Sequence, residues 1–127
     1  NTNRMDGRVQ EISEITQGLK ALAKELKIER VEAVPLHFDE TGNYLGFDEN
    51  YPTTRDGGKP EIISALKKEL SPDLICMVGD GVSDLETSPL VDHFFGFFRY
   101  AQREKVTASC MHRAESLSQV LPILHVR

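Results

Sequence analysis

The sequence predicts an α/β fold, a sheet with helices layered on both faces. Two observations predict it. Leu74-Ile75-Cys76-Met77-Val78 is a continuous apolar run, the pattern of a strand buried on both faces, as in a parallel sheet under helices. Around that run, segments with helical periodicity alternate with strand-like segments. A length of 127 residues suits one domain, 1–127, with one core.

The elements follow in order. Val9, Ile12, Ile15, Leu19, Leu22, Ala23 and Leu26 recur at spacings of three and four, one apolar stripe on a helix. Val31 to Phe38 is β-rich, and Asp39-Glu40-Thr41-Gly42-Asn43 has strong turn chemistry. With Tyr44 to Phe47 they predict a β-hairpin. Pro60 fits the first position of a helix whose buried stripe is Ile62, Ile63, Leu66 and Leu70. Ser71-Pro72-Asp73 ends it. After the apolar run come a short helix over Leu85–Pro89, a strand over Phe94–Phe97 and a helical turn over Gln102–Val106. A short strand over Thr107–Met111 and a last helix over Ala114–Leu121 complete the chain. Phe94, Phe95, Phe97, Phe98 and Tyr100 read first as core. On an open sheet some of them would instead form an interface between copies of the chain.

Twenty acids against fifteen bases give a net charge of −5. That balance argues against general nucleic-acid affinity, which needs basic surface to displace counterions. Cys76 and Cys110 lie in no metal-ligand or CxxC pattern and read as reduced thiols. His37, His93, His112 and His125 are dispersed and show no metal-ligand spacing. No signal peptide and no 18-residue apolar stretch is visible, so the expectation is a cytoplasmic protein with no membrane partner.

Two motifs point to chemistry. Val78-Gly79-Asp80-Gly81-Val82-Ser83-Asp84 puts an acid directly after a buried strand, at the carboxyl edge of the sheet where ligands bind in open α/β folds. Two carboxylates four residues apart can converge on one hard cation such as Mg²⁺ or on one lysine. Gly57-Gly58-Lys59-Pro60 puts a lysine at a helix start, where backbone amides and an ammonium favour a phosphate group.

Taken with Gly46-Phe47-Asp48-Glu49, these motifs resemble the later motifs of phosphoserine phosphatases, in the haloacid dehalogenase superfamily. Phe94-Phe95-Gly96-Phe97, Arg103 and Val106 are similar to the strand and helix that follow in that family. The resemblance covers residues 26–124 and implies a Rossmann-like three-layer fold, an incomplete haloacid-dehalogenase core plus a β-hairpin. It implies a Mg²⁺ ligand at Asp80 and a role for Asp84 in supporting the metal shell or holding the lysine. Lys59 would neutralise phosphoryl oxygens, and Gly58, Gly81 and Ser83 would line the phosphate. Phe98 stands where relatives often carry glycine.

The family reaction also uses an Asp-x-Asp motif, whose first carboxylate attacks phosphorus and whose second acts as acid and base. No Asp-x-Asp pair occurs in these 127 residues. Thr16-Gln17-Gly18 is a weak echo of a second family element, set in a helical segment. Residues 8–26 resemble instead the helix after the Walker B strand of bacterial replicative hexameric DNA helicases, although no Walker A motif is present. The two resemblances meet around Ala23 to Ile28, expected inside a helix, and together imply a chimera. The expected function is therefore a non-catalytic, phosphatase-derived domain with a residual Mg²⁺ and phosphate site, taking a phosphate-bearing small molecule and forming a homodimer. The alternatives are an active phosphoserine-phosphatase-like hydrolase and a helicase-derived interaction fragment.

Overall fold

The computed structural model describes residues 20–125. The chain divides into two compact units, one ending at Thr54 and one from Arg55 onward.

In the first unit, residues 20–25 are helical (α1). Helix α1 ends at Glu25, so of the stretch Ala23 to Ile28, expected inside a helix, Ala23–Glu25 are helical and the rest forms its terminus. The N–H of Ile28 donates to Ala23 O at 2.8 Å and that of Lys27 to Lys24 O at 3.2 Å, with Lys27 at φ 60°. This is a Schellman terminus, which satisfies the last helical carbonyls. The rest of the helicase-like stretch and the Thr16-Gln17-Gly18 echo lie outside the described residues. The hairpin pairs β1 (Leu36–Phe38) with β2 (Tyr44–Phe47), antiparallel. Strand β1 is shorter than expected because Pro35 precedes it and has no N–H for a ladder. The carbonyl of Pro35 accepts from Asp48 N–H at 3.0 Å instead.

The second unit opens with α2 (Gly58–Leu70). It starts two residues before Pro60, because Gly57 at φ 76° turns the chain into the helix. Ile62, Ile63 and Leu66 are half-buried, while Leu70 in the last turn is 61% exposed. Ser71 ends the helix at φ 44°, its N–H bonded to Lys67 O.

A three-stranded parallel sheet follows, in the order β3-β4-β5. The strands are β3 (Cys76–Gly79), β4 (His93–Phe97) and β5 (His112–Ala114). Helices α3 (Val82–Leu85), α4 (Glu104–Ser109) and α5 (Leu121–His125) connect and cover them. Side chains alternate faces along a strand, and the two faces of β4 carry separate cores. Phe94 packs with Phe98 and Val106, joined by Met77 and Leu85. Phe95 packs with Ala114 and Val120, joined by Cys76, Val78, Ile123 and Leu124. Helices α3 and α4 thus serve one face and α5 the other, as the three-layer expectation required.

Four expectations need correction. The sheet's buried centre is β4, and β3 is half-buried throughout because it is an edge strand of the three. The helix expected over Leu85–Pro89 is two short pieces, α3 and a 3-10 turn over Ser88–Leu90. Thr107 to Ser109 belong to α4 and not to a strand. Thr107 Oγ donates to Glu104 O at 3.0 Å and Cys110 N–H closes the turn on Val106 O at 2.9 Å, so pairing begins only at His112. The final helix starts at Leu121, where Pro122 falls in the first turn and its missing N–H costs no bond. Among the described residues no helix is long and apolar enough to cross a membrane.

Candidate functional site

The site belongs to the second unit and stands at the carboxyl end of β3. Asp84, in the first turn of α3, is only 8% exposed. Its Oδ2 accepts the Gly81 N–H at 3.0 Å, which secures the turn between strand and helix. Its Oδ1 accepts from Lys59 Nζ at 2.5 Å, across 25 residues of sequence. Thr87, fully buried, donates its hydroxyl to the Asp84 carbonyl at 2.6 Å. Gly79 makes the packing feasible: a Cβ there would lie 2.4 Å from Asp84 Cγ.

Lys59 reaches this carboxylate from the first turn of α2, beside the buried Gly58. The preceding Gly57 donates its N–H to Glu86 Oε2 at 3.3 Å, a second tie between the glycine loop and α3. The Lys59 side chain is 39% exposed, so it is anchored at its tip yet still in contact with solvent. An ion pair of this kind holds a positive charge in place without removing it from a ligand.

Asp80 is set differently. Its side chain is 45% exposed, and its Oδ2 meets Arg103 Nη1 at 3.1 Å. The same guanidinium nitrogen donates to the Asp80 carbonyl at 3.2 Å. Arg103 immediately precedes α4, and no local pattern around it signalled this role. Ser83 is exposed on α3, its Oγ near Gly81. Of the residues predicted from sequence, the fold brings Lys59, Asp84 and Gly81 into one bonded group. Gly58 flanks that group, Ser83 lies beside Gly81, and Asp80 is paired with Arg103.

Phe98 belongs to the core. Its ring is buried, caps Gly96 and lies under the Arg113 guanidinium at 4.9 Å from the ring centroid. Gly96 supplies the space, since a Cβ there would sit 2.3 Å from Phe98 Cζ. The aromatic cluster is chiefly core: Phe94, Phe95 and Phe98 are buried, and Tyr100 is the exposed member at 84%.

No family model matches the chain. Curated relatives do. A phosphoserine phosphatase of Drosophila melanogaster is 40% identical over 97 residues, 76% of this chain and 36% of that protein. Over about half to three-quarters of its length the chain is homologous to phosphoserine phosphatases. The human phosphoserine phosphatase is 42% identical over 71 residues, 56% of this chain and 32% of its own length. A chloroplastic phosphoserine phosphatase of Arabidopsis thaliana is 37% identical over 83 residues, 64% of this chain and 28% of that protein. The chain thus spans about a third of the length of the curated relatives it matches. The crystal structure of a phosphoserine phosphohydrolase-like protein from Francisella tularensis superposes with a TM-score of 0.67. That likeness covers 94% of this chain and 61% of the other at 18% identity, and it speaks to the fold.

Asp80, which the family resemblance makes a Mg²⁺ ligand, is half-exposed and has its Oδ2 paired with Arg103. Among the described residues no three His, Cys, Asp or Glu side chains gather where a metal could be held. Asp84 is already engaged by Lys59 and Gly81.

Proposed function

We propose that this phosphatase-related chain carries the lysine-and-acid half of a phosphomonoester site, and that these 127 residues do not turn over phosphoester by themselves. The Lys59–Asp84 pair is the observation that carries the reading. A lysine held at a helix start by a nearly buried carboxylate is a fixed positive charge beside solvent. Such a charge attracts the oxygens of a phosphate and offsets the negative charge developed on them. Gly58 and Gly81 leave backbone close to that position, and Ser83 offers a hydroxyl on the adjoining turn.

Asp80 would be the residue to hold Mg²⁺, and the ion when bound would supply further positive charge to the phosphoryl group. Asp80 itself is kept in place by Arg103. The non-catalytic part of the proposal rests on the carboxylates. The sequence holds no Asp-x-Asp pair, Asp84 is engaged by the lysine, and Asp39 is tied into a hairpin turn. A covalent nucleophile absent from a site lowers rate by orders of magnitude.

Two measurements test this. Phosphate release from phosphoserine with Mg²⁺ is followed for the chain and for Asp80→Asn. Neither is expected to exceed background; turnover that disappears in Asp80→Asn would show a nucleophile within the chain and overturn the non-catalytic reading. Inorganic phosphate with Mg²⁺ is then titrated into the labelled chain. The amides of Gly58, Gly81 and Ser83 are expected to shift, and to stop shifting in Lys59→Ala. Unmoved amides in the parent chain would refute the phosphate site.

A further inference from the structure

The sequence offered no metal-ligand spacing among its histidines, yet the fold joins two of them. His93 opens β4 and His112 opens β5. The register pairs His112 with Phe95, two residues beyond His93, so both imidazoles fall on one face of adjacent strands. His93 Nδ1 and His112 Nε2 stand 3.0 Å apart, with ring centroids at 5.1 Å. The pair lies at the amino ends of the strands, opposite to the carboxyl edge that carries Asp80 and Lys59.

We propose that His93 and His112 form a two-imidazole chelate for a borderline transition-metal ion such as Zn²⁺. The geometry carries the case. Zn–N bonds of about 2.0–2.1 Å in a tetrahedral shell place two ligand nitrogens roughly 3.3 Å apart. The observed separation is within a few tenths of an ångström of that. Both side chains are half-buried and so retain solvent contact. His112 is also oriented from behind, stacked on Phe95 at 4.7 Å between centroids and 28° between planes. A ring held by packing loses little freedom when a metal binds.

In the metal-free pair one facing nitrogen carries the hydrogen that bonds them. Coordination needs a lone pair on both. The bridging proton therefore moves by tautomerisation to the far nitrogen of the same ring, with no net loss when both rings begin neutral. Two N–Zn bonds then replace one hydrogen bond, and water fills the remaining positions. Cys76 pairs in register with His93 but packs with Phe95, Ala114 and Val120, so the chelate is assigned to the imidazoles alone. Imidazole nitrogens suit Zn²⁺, Cu²⁺ and Ni²⁺, whereas Mg²⁺ selects oxygen.

The test is calorimetric titration of the untagged chain with Zn²⁺ in excess Mg²⁺. One equivalent is expected to bind, and His93→Gln or His112→Gln to weaken it at least tenfold. His37→Gln is expected to leave it unchanged. Absence of binding, or an unaltered affinity in either chelate variant, would overturn the assignment. Should a variant fail to fold, the parent chain gives the answer through imidazole ¹⁵N spectra. Zinc must move His93 Nδ1 and His112 Nε2, and static resonances at saturation would sink the proposal. None of these outcomes depends on phosphate binding at Lys59.

Discussion

Both oxygens of Asp84 are committed, one to the Gly81 amide and one to Lys59, and the residue beneath them has no side chain. That places a sharp requirement on Gly79. A methyl group there would meet Asp84 Cγ, Cβ and Oδ2 at 2.4–2.5 Å, well inside contact distance. The carboxylate belongs to the first turn of α3 and cannot retreat without breaking its bond to Gly81. Gly79→Ala is therefore expected to destabilise the fold by about 1–3 kcal/mol, the usual cost of overpacking. It should also free Lys59. Chemical denaturation checks the first effect, and the Lys59 Nζ resonance checks the second. A neutral Gly79→Ala would mean that Asp84 is held less firmly than its bonds imply. The motif spanning Gly79 to Asp84 was legible in the sequence because strand, turn and acid are contiguous there. Arg103 was not, because its contact with Asp80 spans 23 residues and arises only once α4 packs over the sheet edge.

At the scale of elements, the hairpin turn shows what local chemistry settles. Asp39 Oδ1 accepts from Asn43 N–H at 2.9 Å, Thr41 N–H at 2.9 Å and Thr41 Oγ at 2.8 Å, while Gly42 adopts φ 88°. The Asn43 amide foremost, then the Thr41 hydroxyl, hold the Asp39 carboxyl down to about 2 from its ordinary 3.8. A carboxylate whose folded value is depressed adds stability that is fully present above its unfolded value. Hairpin order contributed by Asp39 is thus expected to be intact above pH about 4 and to fade as pH falls through about 2. Amide shifts of Thr41 and Asn43 across that range report it, and Asp39→Asn should remove the acid transition. A transition near 3.8 in the parent chain would contradict the bonding. Turn and β2 were readable because their signals lie within a few residues. The strand expected over Thr107–Met111 was not. Its β-branched and apolar residues suit either state, and only the α4 bonds to Arg103, Glu104 and Val106 decide it.

For the whole molecule, the two sides of β4 lead to a prediction about autonomy. The unit from Arg55 onward contains the parallel sheet, both of its hydrophobic clusters and every proposed site residue. A sheet covered on each face by its own helices holds the ingredients of independent folding. The unit is small, however, and a unit of that size draws only about 3–5 kcal/mol from its buried apolar residues. A polypeptide spanning Arg55–Arg127 is expected to fold with a cooperative melt and low stability in that range. Its Phe94, Phe95 and Phe98 rings should show the dispersed shifts of fixed packing. If the fragment instead collapses with native-like helix content but no fixed aromatic environment, the two clusters depend on residues before Arg55. The lysine–acid pair would then be assembled by the chain as a whole. Should the fragment fold and retain the Lys59–Asp84 contact, the phosphate titration can be repeated on it, and an amide response matching the parent chain would locate the phosphate-binding capacity wholly within this unit.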